Sequence, residues 1–394
     1  MLSAHRFKPE HHGLLLALAG CVVLIIGMGY GRFAYTGILP RMLSEGVLTL
    51  HQANLAASAN YAGYLAGALL LAKLQPQRAS LFCRLALLGT IAAMGLLAVV
   101  SSAGWIITIR GLAGVFSAFT LVAGSQWLLQ HMKHMQGAPL LFSGVGAGIF
   151  ISAELISLGK ALTLSSYTLW GVCALSALVL LALVFRLFSS PADLLTTTVQ
   201  QGTQHSSEGE NSREAYRLLA IYGLAGFGYI ITATYLPLFL SGSLKGVDPI
   251  QIWAVFGLAA VPSCFIWHRL VARFSYRPAF TTNLLVQAVG VSLPAFSQSL
   301  LMCLASALLV GFTFMGTVTI ALSAARRLAH VVNFNMIAAM TALYGIGQII
   351  GPLLAGALYS LSGSFASSLF SAAAALFIAA LLTLLPRSAD GAAG

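Results

Sequence analysis

The chain is divided into apolar runs of the length that crosses a bilayer. A hydrocarbon core needs about 20 apolar residues per helix. On that criterion the sequence predicts twelve spans, at 14–39, 51–73, 80–101, 103–130, 138–160, 166–188, 217–240, 251–271, 278–297, 299–322, 335–359 and 365–386. The first run, Leu14 to Leu39, is too long for the apolar core of a signal peptide and reads as a span. Only 7% of residues are charged, against about 25% in an average soluble domain, which excludes a soluble protein. Between the sixth and seventh runs lies Ser189 to Tyr216, rich in Ser, Thr, Gln, Glu and Gly, a composition that cannot bury enough surface to fold. The predicted organisation is an all-α membrane protein with an N-terminal six-helix lobe at 1–188, a cytoplasmic linker at 189–216 and a C-terminal six-helix lobe at 217–394.

Charge sets the orientation. With both termini in the cytoplasm, fifteen basic loop and tail residues face inward, and only Arg41, Lys160 and Lys245 face outward. That bias supports an even number of spans. The net charge of +11 is scattered over short loops and forms no nucleic-acid-binding patch. The five cysteines fall one per run and read as small buried hydrophobes. No metal or cofactor is implied, because the nine histidines occupy tails, loops and span ends. There is no HExxH, GxSxG or phosphate-cradling loop, and no pair of aspartates within the spans, so neither intramembrane hydrolysis nor ATP hydrolysis is expected.

The two halves repeat at an offset of 197 positions. Gly29-Tyr30-Gly31 falls on Gly226-Phe227-Gly228, Leu39-Pro40 on Leu236-Pro237, and Gly114 on Gly311. Six spans, a linker and six related spans is the layout of many secondary transporters, with the site between the halves near mid-membrane.

Three ionisable residues lie deep within spans of the first half: Arg32, Arg110 and Glu154. A central arginine costs roughly 2.5–3.5 kcal/mol even on the gentlest insertion scale. At about 1.5 Å per residue, all three lie about 26–30 Å from the inner face. Equal depth predicts that Glu154 pairs with one or both arginines. A carboxylate held between apolar burial and a guanidinium can exchange a proton, so Glu154 and Arg110 are the expected proton-coupling pair. The alternatives are a static ion pair stapling spans 1, 4 and 5, or Glu154 facing a watery vestibule alone. An arginine left over would favour anionic or zwitterionic substrates. The polar residues Tyr30, Tyr35, Gln126, Tyr229, Tyr235 and Gln348, together with Arg32, are the candidate substrate contacts. Gly63-x-x-x-Gly67, Gly144-x-x-x-Gly148 and Gly347-x-x-x-Gly351 predict close helix packing, or faces on which the lobes slide.

Taken together, these features resemble the major facilitator superfamily, with Arg110 and Gly114 similar to its span-4 arginine motif. The strings Gly29-Tyr30-Gly31-Arg32-Phe33-Ala34-Tyr35-Thr36 and Ala59-Asn60-Tyr61-Ala62-Gly63-Tyr64-Leu65-Ala66-Gly67 resemble its YbfB/YjiJ-type branch. The resemblance implies a twelve-helix, two-lobe carrier working by alternating access. The expected function is proton-coupled movement of a small molecule, with export placed ahead of proton-symport uptake of an organic anion. A non-transporting receptor or scaffold is the reading from another class. A carrier of this size needs no partner, so a monomer is expected.

Overall fold

The computed structural model describes residues 9–185, 212–240 and 247–386. Most of the predicted linker, 189–211, lies outside the described residues. Span 1 is α-helical over Pro9–Leu24, π-helical over Ile25–Phe33 and α-helical again over Ala34–Ser44. Spans 2 to 6 are Leu50–Leu70, Ala79–Leu97, Ala103–Gln126 with a π turn at Trp127–His131, Ala138–Ala161 and Ser166–Val184. Spans 7 to 12 are Ser212–Leu240, Pro249–Phe274, Tyr276–Phe296, Leu300–Leu328, Met336–Ser362 and Ala366–Leu384. No strand occurs among the described residues.

Eleven of the helices are long and apolar enough to cross a membrane on length and composition. The exception is span 2, and its polar residues explain why it falls short. Asn60 donates to the Arg110 carbonyl in span 4, Ser58 donates to the Ile349 carbonyl in span 11, and Asn54 accepts from Tyr235 in span 7. These side chains hydrogen-bond neighbouring helices, which satisfies them away from lipid. Span 2 begins at a capping box, in which Thr49 and Gln52 each bond the other's backbone N–H.

Span 7 starts earlier than predicted. Its first turn carries Glu214, which is buried, accepts from Tyr276 and pairs with Arg277 at 3.3 Å. The sequence placed Glu214 in the linker 189–216, and it is instead a carboxylate within a helix. Glu45, beyond the end of span 1, pairs with Arg41 at 2.7 Å and accepts from the Ser166 N–H that opens span 6. Partial burial pushes its carboxyl up, but the Ser166 bonds and Arg41 outweigh that and hold it below the usual carboxylate value.

The paired glycines pack within each half. A β-carbon on Gly63 would meet the Gly111 carbonyl of span 4, one on Gly144 the Cys21 carbonyl of span 1, and one on Gly347 the Gly223 carbonyl of span 7. Gly114 and its repeat Gly311 press in the same way on the backbones of spans 2 and 8. The sliding-face alternative therefore belongs to other residues. The halves meet along two main seams, span 5 with span 8 and span 2 with span 11. On the first seam a β-carbon at Gly257 would lie 2.6 Å from the Phe150 nitrogen and 2.9 Å from the Gly146 carbonyl.

Spans 1 and 7 also meet, and the repeat shows directly in that contact. Pro237 has no N–H to offer the Ala233 carbonyl one turn earlier. Thr36, which stands 197 positions before Ala233, donates its hydroxyl to that carbonyl at 2.7 Å. Thr36→Val is expected to lower stability by about 1–3 kcal/mol by leaving a buried acceptor unpaired. Thermal unfolding of the purified variant checks this, and an unchanged transition would mean that the carbonyl is satisfied without Thr36.

Candidate functional site

The π-helical turn of span 1 forms the centre of the molecule, and every residue from Ile25 to Phe33 is buried. Its glycines let three neighbouring helices come close. Gly27 abuts Thr120 of span 4, Gly29 abuts Gly148 of span 5 and Gly31 abuts Thr90 of span 3. π-Helical turns inside α-helices recur at functional sites. Here the turn presents Arg32.

Arg32 is 3% exposed. Its guanidinium carbon lies 4.2 Å from the centre of the Tyr64 ring, 4.9 Å from that of Tyr61 and 5.3 Å from that of Phe33. The charged and phenolic groups around it include Tyr229, Tyr64, Tyr61, Tyr344, Tyr222 and the like charge of Arg110, and among the described residues it makes no ion pair with a carboxylate. Ring faces attract a cation but offer its N–H groups no oxygen, and Arg32 Nε and Nη2 have no hydrogen-bond partner.

Arg110 behaves differently. It donates from Nη1 to the Gly31 carbonyl at 3.0 Å and from Nη2 to the Arg32 carbonyl at 3.2 Å. Its guanidinium carbon lies 4.4 Å from the centre of the Tyr35 ring. It therefore ties span 4 to the end of the π turn and holds the backbone of Arg32.

Glu154 corrects the predicted cluster. The ion pairs among the described residues are Arg41–Glu45, Lys160–Asp248 and Arg277–Glu214, so Glu154 pairs with neither buried arginine. Its carboxylate faces Gln251 of span 8, whose amide lies 3.5 Å from Glu154 Oε2 and donates to Ser157 at 3.1 Å. The reason is helical phase. Gly148 marks the side of span 5 that touches span 1, and six residues further on a helix has turned by about 240°. Similar depth does not bring side chains together, because azimuth carries Glu154 round to the seam. Six residues further along span 5, Lys160 bridges the same seam to Asp248 at 3.0 Å.

The other predicted contacts divide between the centre and the packing around it. Tyr229 stacks between Phe314 at 4.9 Å and Tyr344 at 5.6 Å, and its hydroxyl accepts from the Gln348 amide. Gln348 Oε1 has no partner. These two residues join the Arg32 cluster. Tyr30 instead hydrogen-bonds Ser176 of span 6 at 3.0 Å. Tyr35 donates to the Ala53 carbonyl at 2.9 Å, and Tyr235 donates to Asn54 at 2.6 Å while stacking on Phe365. Gln126 ends the α-helical part of span 4, where its Oε1 has no partner.

Sequence reasoning missed Tyr61, Tyr64, Phe314 and Tyr344. Tyr61 and Tyr64 left a signal, since a spacing of three puts both rings on one face of span 2. Phe314 and Tyr344 left none, because their rings meet Tyr229 only through the packing of spans 7, 10 and 11.

Twelve long helices closing on a buried cation define a multi-pass α-helical membrane protein with a central polar site. The chain belongs to the major facilitator family described as uncharacterised MFS-type transporter YbfB, whose model matches residues 24–384, and it is thus of the secondary-transporter class. No curated protein matches it.

Proposed function

We propose that the chain carries a small organic anion across the bacterial inner membrane by alternating access, coupled to protons, with both termini in the cytoplasm. The observation that carries this reading is the buried Arg32, whose Nε and Nη2 meet no acceptor. A buried charge without a partner is costly, and an anion that binds there removes the cost for as long as it stays. With Glu154 on the span 5–span 8 seam, symport of an anion takes first place. An inside-negative potential opposes entry of a monoanion by about 2.3 kcal/mol per 100 mV, and one accompanying proton cancels that charge.

Glu154 remains the group we assign to the proton, by a different route. Protonation turns an acceptor-only carboxylate into a group that also donates. Its contact with Gln251 across the seam therefore changes with its charge. Glu154→Gln is expected to reduce accumulation driven by an imposed pH gradient to the level seen without one, while exchange of the same anion across proteoliposomes persists. An intact response to the gradient rejects this role. No flux of any carboxylate in either direction would return the chain to a receptor or scaffold.

A further inference from the structure

The geometry around Arg32 narrows the anion beyond its charge. Nε–H and one N–H of Nη2 point the same way from one edge of a guanidinium, forming the fork that a single carboxylate fills with two parallel hydrogen bonds. Those are the two atoms of Arg32 left without partners. Tyr64 and Tyr61 attract the charge through their ring faces. What remains is an edge-on site for one planar carboxylate.

The remainder of the site is aromatic. Phe314 lies edge-on to Phe33 at 5.7 Å and stacks on Tyr229, which stacks in turn on Tyr344. The cation and the rings stacked on it, Tyr61 and Tyr64, thus come from the first half of the chain, and Phe314, Tyr229 and Tyr344 come from the second. A ligand bound to both would span the surface along which the halves separate. Polar capacity is small: apart from Arg32, Gln348 Oε1 and the Tyr344 hydroxyl are the cluster's buried polar atoms without a partner. Among the described residues, none of the groups acting on Arg32 is a carboxylate that could receive a ligand's ammonium group.

We propose that this site takes a flat aromatic monocarboxylate, its carboxylate on the Nε and Nη2 edge of Arg32 and its ring against Phe314 and Tyr229. The proposal rests on the anion reading above. It disfavours zwitterions, whose ammonium group would go unpaired, and polyols, whose hydroxyls would exceed the available partners.

The test is isothermal titration calorimetry on the full chain in lipid nanodiscs, with 3-phenylpropionate, hexanoate, succinate, inorganic phosphate and phenylalanine as probes. 3-Phenylpropionate is expected to bind more tightly than the other four. Arg32→Lys keeps the charge but loses the fork, and should weaken that binding about tenfold or more. Phe314→Leu should reduce the preference for 3-phenylpropionate over hexanoate by about threefold to tenfold, a ratio that a purely structural role would not move. If hexanoate, succinate or phosphate binds best and still requires Arg32, the aromatic class is wrong and the anion reading stands. Phenylalanine binding more tightly than 3-phenylpropionate also overturns the class. If none of the anions binds, both readings fall.

Discussion

Replacing Arg32 by glutamine is expected to abolish anion flux and to raise the melting temperature of the purified protein. The two effects together are the signature of a group kept for function. Arg32 is a permanent cation with an exposure of 3% and no carboxylate partner. Its contacts with Tyr64 and Tyr61 contribute about 0.5–2 kcal/mol each. Against them stand the desolvation of the charge, roughly 2.5–3.5 kcal/mol on the gentlest scale, and two N–H groups with no acceptor. Glutamine removes the charge and one of those donors. Gains in stability at the expense of activity are common where a site is held in a costly state. Transport and thermal unfolding measured on one preparation decide the matter. A lower melting temperature with flux retained would make Arg32 a structural staple, the static role that the sequence also allowed.

The same substitution at Arg110 is expected to have the opposite effect on stability. Arg110→Gln should cost about 2–4 kcal/mol, because each charge-assisted hydrogen bond contributes about 1.5–3 kcal/mol and the partial relief of charge burial offsets only some of the loss. The bonds in question run to the carbonyls of Gly31 and Arg32. Glutamine is too short to replace a guanidinium that reaches both carbonyls. Transport should fall as well, since the backbone that presents Arg32 loses its tie to span 4. The measurement is again thermal unfolding with transport. A melting temperature at or above that of the parent protein would mean that the two carbonyl contacts contribute nothing net. The contrast between the two arginines is the sharpest check on the assignment: Arg110 donates to two carbonyls and leaves only Nε unpaired, and Arg32 leaves both Nε and Nη2 unpaired.

Much of this architecture was legible along the chain. Apolar run length located the helices, because a bilayer imposes a minimum length that composition reveals directly. The 197-residue offset was also readable, and Thr36 bonding Ala233 shows it as a physical contact. The buried arginines were found for the same reason, since a charge in an apolar run stands out. Span 2 tested the limits of hydropathy. It does not reach the apolarity of the other helices, although it was counted on the same criterion of run length, and the alternation of loop charge supports the even number that includes it.

The site was only partly legible. Counting residues from a span end gives depth, because helical rise is constant, and it put Arg32, Arg110 and Glu154 at similar levels. It does not give azimuth relative to a neighbour, which depends on how two helices are rotated when they pack. That rotation turned Glu154 to Gln251 and aimed Tyr30 at Ser176. The ring cluster was less legible still, because Phe314, Tyr229 and Tyr344 stand on three separate helices.

By itself, then, the sequence determined the number of helices, the repeat and the presence of two arginines deep in the first half. These follow from composition and from spacing along one helix. Only the tertiary structure decided which arginine is bonded and which is left open, since partnership depends on the phase of helices far apart in the chain. The Gly29-Tyr30-Gly31-Arg32 turn shows both. Its glycines announced close packing, but the arrival of Arg110 at its carbonyls, with no acid at its guanidinium, is a fact of packing.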